Sequence, residues 1–152
     1  MADVFLSYAG DSGRARAEQI ARHLEETGVS CWYADRDIPP GVDMFAGFMT
    51  RAIRECRVFL LILNQEAARS AYVQSESALA LRRILNYENL TLLAFRVDDV
   101  DTRADDFRLY DLPRFQIVDG CAPDALRKLG SQIARIVGPK RAATGPQQGI
   151  SL

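Results

Sequence analysis

The amino-acid sequence predicts a three-layer α/β sandwich in which helices cover both faces of a five-stranded parallel sheet. Short apolar runs alternate along the chain with longer segments whose apolar residues recur at three- and four-residue steps, as expected for strands and amphipathic helices. The run from 58 to 63 is apolar throughout and has polar flanks, which is typical of a central strand buried on both faces. Strands that alternate with helices require parallel pairing through right-handed crossovers.

The first part of the chain predicts two strands and their connections. A short apolar run at 4–6 forms the first strand, and the helix at 14–27 follows a polar loop in which Asp11 or Ser12 can act as the helix cap. The second strand covers 29–33, where β-forming residues are concentrated. The next helix has Asp43 as its cap, and its predicted core residues are Phe45, Phe48, Met49, Ala52, Ile53 and Cys56.

The segment from 34 to 41 joins the second strand to that helix, and we predict it to be neither helix nor strand. Pro39 and Pro40 stiffen its tip, Gly41 permits a tight turn, and Asp35 and Arg36 place charge at its base. It is longer than a plain strand-to-helix connection requires. Because loops on rigid scaffolds commonly carry binding residues, we predict a binding function for it, with a plain connection as the alternative.

The second part of the chain completes the sheet. The strand at 58–63 leads into a helix that begins near Ser70, and further strands cover 90–95 and 115–118. An acidic segment at 98–111 contains interspersed arginines and lacks the pattern of a calcium-binding loop, so we interpret it as solvated. The helix near Ser70 is predicted to bury Val73, Ala80, Leu81, Ile84 and Leu85, and a last helix buries Leu126, Leu129, Ile133, Ile136 and Val137 before Gly138.

These elements correspond to a flavodoxin-like fold with the strand order 2-1-3-4-5. The folded domain is predicted to span 1–138, and the polar segment 139–152 is predicted to be a flexible tail or linker. In such a sheet, the ligand crevice lies at the carboxyl ends of the strands, between the first and third. We therefore expect the stretches 7–10, 35–41 and 70–76 to converge there.

Composition restricts the classes of function. The chain has 152 residues, enough for one domain with its own core, and a formal net charge of −1, which disfavours nucleic-acid binding. It shows neither a leader peptide nor the ~20 consecutive apolar residues of a membrane helix. We expect a cytoplasmic protein that binds neither nucleic acid nor a membrane.

The cysteines and the histidine point away from metal and triad chemistry. Cys31, Cys56 and Cys121 are far apart and lack metal-ligand spacing, so we expect buried, reduced thiols and no metal site. His23 is the only histidine, and it lies on the polar face of the first predicted helix. We expect a surface histidine there, which excludes histidine-dependent triads.

Glu76 is the best-placed reactive side chain in the predicted crevice. It lies four residues after Tyr72, so both occupy one face of the helix. From the helix alone, a solvated glutamate is the simpler interpretation. The crevice lacks a G-x-G-x-x-G motif and the lysine of a phosphate-binding loop, which disfavours hydride transfer with a dinucleotide. A phosphoacceptor receiver is disfavoured because the third strand ends at Asn64 rather than at an aspartate.

Three stretches resemble, in order and spacing, the signature stretches of Toll/interleukin-1 receptor (TIR) domains, particularly bacterial ones. They read VFLSY at 4–8, RDIPPG at 36–41 and SAYVQSE at 70–76, and the likeness extends over about 3–137. The resemblance implies an intracellular signalling domain, often an NAD+-cleaving enzyme of bacterial antiphage defence. The family's catalytic glutamate matches Glu76, and Tyr72 stands where the family usually has tryptophan, which preserves an aromatic face.

The resemblance further implies an NAD+ glycohydrolase or cyclase that releases nicotinamide and ADP-ribose or a cyclic isomer. NAD+ is then the substrate, no separate cofactor is needed, and other TIR domains are partners through the loop 36–41, in a homo-oligomer or filament. Arg36 and the backbone N–H groups of 10–13 are candidates to hold the pyrophosphate. The predicted substrate-binding residues are Phe5, Ser7, Tyr8, Asp35, Arg36, Ile38, Gly41 and Tyr72. The alternative is a non-enzymatic scaffold that acts by TIR–TIR self-association.

Overall fold

The computed structural model describes residues 2–41, 47–86, 88–103 and 114–138. In that part of the chain, five parallel strands form a sheet in the order β2-β1-β3-β4-β5. The strands are β1 (Val4–Ser7), β2 (Cys31–Trp32), β3 (Val58–Leu63), β4 (Thr91–Arg96) and β5 (Gln116–Asp119). The predicted flavodoxin-like fold and its strand order are confirmed.

Helices cover both faces of this sheet. The described helices are α1 (Gly10–Glu26), α2 (Ala34–Asp37), α3 (Phe48–Glu55), α4 (Ala71–Leu85) and α5 (Ala125–Val137), with a 3-10 turn at Ala67–Arg69. The apolar sides of α1 and α5 share one core cluster, and those of α3 and α4 share the other. The sheet is therefore buried between two helical layers.

The central strand β3 is buried along its whole length, as its apolar run predicts. Its side chains alternate between the two cores, because successive residues of a strand point to opposite faces. Phe59, Leu61 and Leu63 pack toward α3 and α4, whereas Val58, Leu60 and Ile62 pack toward α1 and α5. This alternation places every second residue of the neighbouring strand β1 on the same side as α4.

An aromatic row crosses the α3/α4 face of the sheet. The ring of Phe5 stacks on Trp32 at 5.0 Å and on Phe59 at 5.4 Å, and Phe59 meets the edge of Phe115 at 6.2 Å between ring centroids. Phe5 and Phe59 are fully buried. The row therefore forms a rigid floor two residues before the end of β1.

The prediction of a loop throughout 34–41 is wrong for its first half, because α2 forms one helical turn. The Asp37 carboxylate accepts a hydrogen bond from the Tyr33 backbone N–H at 3.0 Å, and the Ile38 N–H bonds to the Ala34 carbonyl at 3.1 Å. A carboxylate that reaches back to the start of a helical turn satisfies a donor that would otherwise lack a partner. This hydrogen bond stabilises the helical turn and compensates for the low helix propensity of the segment.

The helix starting near Arg14 also begins earlier than predicted. The structure has α1 start at Gly10, so Asp11 and Ser12 lie inside its first turn and neither is the cap. Gly10 adopts a φ of 73°, which glycine tolerates and other residues rarely adopt. The early start places the negative charge of Asp11 at the positive end of the helix dipole.

Several predicted burials are wrong. Phe48 and Leu85 are exposed, and Cys121 is an exposed thiol, whereas Cys31 and Cys56 are buried. His23 is half-buried, with its ring packed on Gly130 of α5. A helical period defines which face is apolar, and only the packing of neighbouring elements decides how far along the helix that face is covered. Asp43, Phe45, the predicted tail 139–152 and part of the acidic segment lie outside the described residues.

Candidate active site

The candidate site lies where β1 ends, at the point where the strand order changes direction. Strand β1 lies between β2 and β3 in the sheet. The connections that leave the carboxyl ends of β1 and β3 therefore run in opposite directions and leave a crevice between them. Ser7 is the last residue of β1, α2 follows β2, and α4 follows β3 by way of the 3-10 turn. These three elements supply most of the predicted site residues.

Glu76 is buried, with an exposed fraction of 5%, although it is a glutamate on a helix. Ser70 caps α4 by accepting a hydrogen bond from the Val73 N–H at 3.2 Å, which fixes the start and hence the rotation of the helix. Glu76 then shares the buried face of α4 with Val73 and Ala80. The simpler interpretation of Glu76 as a solvated glutamate is wrong.

The Glu76 carboxylate has a single described hydrogen-bond donor. The Ser7 hydroxyl donates to Glu76 Oε1 over 2.6 Å, and Ser7 is itself fully buried. Burial raises the pKa of Glu76 from 4.5 to about 8, and the hydrogen bond from Ser7 acts against this rise. A buried carboxyl group that titrates near neutral pH is a common property of functional sites.

Tyr8 and Asp35 connect the end of β1 to α2. The Tyr8 hydroxyl donates to Asp35 Oδ1 over 2.8 Å and accepts from the Asp35 backbone N–H over 3.0 Å. Burial is the largest cause that raises the pKa of the Tyr8 phenol, and the negative charges of Asp35 and Glu76 add to it. The Tyr8 hydroxyl therefore stays protonated and can donate a hydrogen bond, and it lies close enough to Glu76 for the two groups to interact electrostatically.

Arg36 points away from Glu76, toward the end of α1. Its guanidinium donates to Glu25 Oε1 at 2.9 Å, to the Asp37 carboxylate at 3.0 Å and to the Cys31 carbonyl at 2.6 Å. It also lies 4.7 Å from the centre of the Tyr33 ring. The hydrogen bonds to Glu25 and Asp37 raise the pKa of Arg36. Its charge is therefore already paired with two carboxylates in this structure.

The start of α1 is the second candidate for holding pyrophosphate, and it lies against the exposed side chain of Glu66. The Glu66 carboxylate packs directly on Gly10, leaving no room for a side chain there. Ser12 donates to Glu66 Oε1 over 3.3 Å. A phosphate group would have to displace Glu66 to approach these backbone N–H groups.

The remaining predicted site residues lie in different environments. Tyr72 is 50% exposed in the first turn of α4, and Ile38 is half-buried against the core cluster that contains Phe5. Gly41 has a φ of 80° with open space around it. Phe5 is fully buried in the aromatic row, so the structure places it beneath the crevice and not on its surface. The structure thus brings together Ser7 with Glu76 and Tyr8 with Asp35.

A family model described as the TIR domain matches residues 4–130. The chain belongs to the TIR domain family. Solved structures agree with the fold at low sequence identity. The TIR domain of the Toll-related receptor TRR-2 from Hydra magnipapillata is 19% identical with a TM-score of 0.65, and the match covers 88% of this chain and 98% of that one.

Two larger receptors contain similar domains. The TIR domains of the activated Roq1 resistosome, which recognises the pathogen effector XopQ, are 19% identical with a TM-score of 0.59, covering 90% of this chain and 85% of that one. A metazoan TIR-STING receptor from C. gigas is 19% identical with a TM-score of 0.62, covering 91% of this chain and 41% of that one. None of the curated protein sequences compared with this TIR domain matches it.

Asn64 has a structural role that its position at the end of a predicted strand does not reveal. It is almost fully buried, and its side-chain oxygen accepts from the Ala67 N–H over 2.9 Å. Its amide nitrogen donates to Ser12 Oγ over 3.3 Å. In the TIR domain, Asn64 therefore joins the 3-10 turn to the first turn of α1. The available signal was a polar residue placed directly after a fully apolar strand.

Ser77 is a second buried polar residue whose environment is not evident from the sequence. It is fully buried beside Glu76 on α4, and its hydroxyl has no hydrogen-bond partner among the described residues. We expect Ser77→Ala to raise the free energy of unfolding by about 1 kcal/mol, because a buried hydroxyl without a partner is costly. Urea denaturation measures this, and a loss of stability would show that the hydroxyl is bonded in solution.

Two further features of the TIR domain concern metals and membranes. Within residues 2–41, 47–86, 88–103 and 114–138, there is no cluster of three His, Cys, Asp or Glu side chains that could hold a metal ion. Among the helices of the same residues, none is long and apolar enough to cross a membrane.

Proposed function

We propose that this TIR domain is an NAD+ glycohydrolase or cyclase acting in bacterial antiphage signalling. It would cleave the bond between nicotinamide and ribose and release nicotinamide with ADP-ribose or a cyclic isomer. The observation that carries the proposal is the buried Glu76 carboxylate, held by Ser7 at the carboxyl edge of the sheet. NAD+ is the substrate, and the reaction requires neither a metal nor a separate cofactor.

One carboxylate is sufficient for this chemistry. Nicotinamide leaves as a neutral molecule, and the ribose left behind has the character of an oxocarbenium ion. Water then adds to the ribose and loses a proton to give ADP-ribose, or a nucleophilic atom of the same molecule adds to give a cyclic isomer. The Glu76 carboxylate would orient the ribose hydroxyls and stabilise the developing positive charge. Its burial strengthens that interaction, because charges attract more strongly where water is excluded. Tyr72 offers a half-exposed aromatic face to the substrate in the preceding turn of α4.

The proposed setting is the cytoplasm. Cys31, Cys56 and Cys121 are free thiols, as is usual in a reducing compartment. Burial raises the pKa of Cys31 to about 12 and that of Cys56 to about 11, so these two thiols are unreactive at neutral pH.

The direct test is to incubate concentrated, purified protein with NAD+ and to separate the products by chromatography. Release of nicotinamide supports the proposal, and mass spectrometry of the second product distinguishes ADP-ribose from a cyclic isomer. If wild-type protein releases no nicotinamide, even when crowding agents promote association, the enzymatic proposal is wrong.

A scaffold that acts only through TIR–TIR association is the second candidate function. It is supported by the Roq1 resistosome, an activated assembly whose TIR domains share this fold. The partners would then be other copies of the domain, bound through the segment 36–41. If the domain is only a scaffold, Glu76→Ala should retain signalling and a substitution of Gly41 should abolish it. If the domain is an enzyme, Glu76→Ala should abolish signalling.

We expect the activity per molecule to rise by about tenfold from dilute to concentrated protein, because a neighbouring copy would hold the segment 36–41, the end of α2 and the loop after it, closed over the substrate. The test is NAD+ turnover across a dilution series for wild type, Ile38→Asp and Ile38→Val. Ile38→Asp should remove the concentration dependence, since a charge opposes an apolar contact. Ile38→Val should retain it, and melting temperatures exclude unfolding. Equal activity per molecule at all concentrations would contradict association through this loop.

A further inference from the structure

Ser7 has a position that its sequence context does not reveal. It is fully buried at the end of β1, where its backbone pairs with Leu61 of β3. Phe5, two residues earlier, belongs to the core cluster on the α3/α4 side, so Ser7 also points to that side. There its hydroxyl meets Glu76 Oε1 at 2.6 Å, across 69 residues of sequence.

We propose that Ser7 is a positioning residue for Glu76, which holds one carboxylate oxygen and leaves Oε2 free to interact with the ribose of NAD+. This inference rests on the proposed function. Ser7 is therefore not a substrate-binding residue in the ordinary sense, because its hydroxyl is fully buried and donates to the glutamate. Its effect on the substrate is transmitted through Glu76.

The geometry favours a fixed carboxylate. The donor residue Ser7 ends β1 and pairs with Leu61 of the central strand β3, and β1 is also paired with β2 at Val4 and Phe5, so the hydroxyl has little freedom to move. The acceptor is in the second turn of a helix whose start is fixed by the Ser70 cap. Catalytic groups that are held by rigid elements avoid the cost of reorganisation during the reaction.

Few charged groups approach this pair among the described residues. The strands β1 and β3 carry no ionisable side chain, and the Tyr8 phenol is the titratable group whose pKa responds to Glu76. The charged residues of the elements packed around α4, and of its own last turn, are Arg51, Arg54, Glu55, Arg69, Arg82, Arg83 and Arg96. Arg51, Arg54, Arg69 and Arg82 are exposed. Arg83 donates to the Ile53 and Cys56 carbonyls, and Arg96 pairs with Asp119 at 2.9 Å.

Ser7 therefore has a measurable effect on the ionisation of Glu76. Burial favours the protonated carboxylic acid, whereas the donated hydrogen bond favours the carboxylate. Removal of the hydroxyl should move the titration of Glu76 to higher pH. Each unit of upward shift lowers the ionised fraction at neutral pH by about tenfold, and kcat at neutral pH should fall in proportion.

The experiment compares Ser7→Ala and Ser7→Cys with Ser77→Ala, which removes an equally buried hydroxyl from the turn that holds Glu76. In each variant, carbon NMR of labelled glutamate side chains gives the titration midpoint of Glu76. NAD+ cleavage is measured against pH in the same samples, and circular dichroism confirms that each variant is folded. The NMR measurement requires no enzymatic activity, so it tests the hydrogen bond separately from the proposed reaction.

We expect Ser7→Ala to raise the Glu76 midpoint and to lower kcat at neutral pH by about tenfold with little change in KM, with partial recovery at high pH. Ser7→Cys should lie between Ser7→Ala and wild type, because a thiol is a weaker donor. Ser77→Ala should leave the midpoint unchanged. If Ser7→Ala leaves the midpoint unchanged, or lowers activity equally at all pH values, the inference is wrong. If wild type shows the expected midpoint but cleaves no NAD+, the proposed function fails and the catalytic role of Ser7 fails with it.

Discussion

Replacement of Glu76 by glutamine is expected to lower NAD+ cleavage by at least about a hundredfold while making the protein more stable. The amide has nearly the same shape, so it can still accept the hydrogen bond from Ser7, but it carries no negative charge to stabilise the ribose cation. It also removes the cost of burying an ionisable group. Opposite changes in activity and stability are typical of residues kept for function.

The gain in stability should depend on pH in a defined direction. The pKa of Glu76 is about 8 in the folded protein and near 4.5 when unfolded, so between these values the folded state binds the proton and the unfolded state does not. The contribution of Glu76 to the free energy of unfolding of the wild type is therefore greatest at low pH. It declines as the pH rises through this window and levels off above about 8. The Glu76→Gln variant lacks this decline, so the difference between its free energy of unfolding and that of the wild type should increase with pH up to about 8.

Urea denaturation of wild type and Glu76→Gln across this pH range measures the difference. Glu26→Gln is a matched control, because Glu26 is an exposed glutamate near the end of α1. We expect the control to match wild type in activity and in the pH dependence of stability. A destabilised Glu76→Gln variant, or one with full activity, would contradict the role assigned to Glu76.

Replacement of Phe59 by alanine is expected to lower the free energy of unfolding by about 3–5 kcal/mol, the range for large-to-small changes at buried aromatic residues. Phe59 is fully buried at the centre of the aromatic row, stacked on Phe5 at 5.4 Å and against the edge of Phe115 at 6.2 Å. Its loss leaves a cavity between the sheet and the layer formed by α3 and α4, and removes both ring contacts. Urea denaturation measures the change.

Phe48→Ala is the matched control for this prediction. Phe48 is 42% exposed at the start of α3, so its removal should cost less than about 1 kcal/mol. The apolar pattern predicts a core position for both phenylalanines, and the two variants test the correction at Phe48. Equal losses of stability would mean that Phe48 is covered in solution.

Much of the fold follows from local pattern. The uninterrupted apolar run of β3 predicts a strand covered on both faces, and the helical periods around it predict the helices that cover it. Parallel pairing and right-handed connections then leave few strand orders, and the predicted order is the observed one. The spacing between Tyr72 and Glu76 places both on one side of α4, since that spacing is a property of the helix itself.

The sequence by itself therefore determined the sheet, its strand order, the family and the position of Glu76 in the chain. Only the tertiary structure decided that Glu76 is buried, because its partner Ser7 lies on another strand 69 residues away. It also decided that Phe5 belongs to the core and that Arg36 is bound by Glu25 and Asp37. Periodicity specifies which residues share a face, whereas burial and ionisation depend on what the rest of the chain packs against that face.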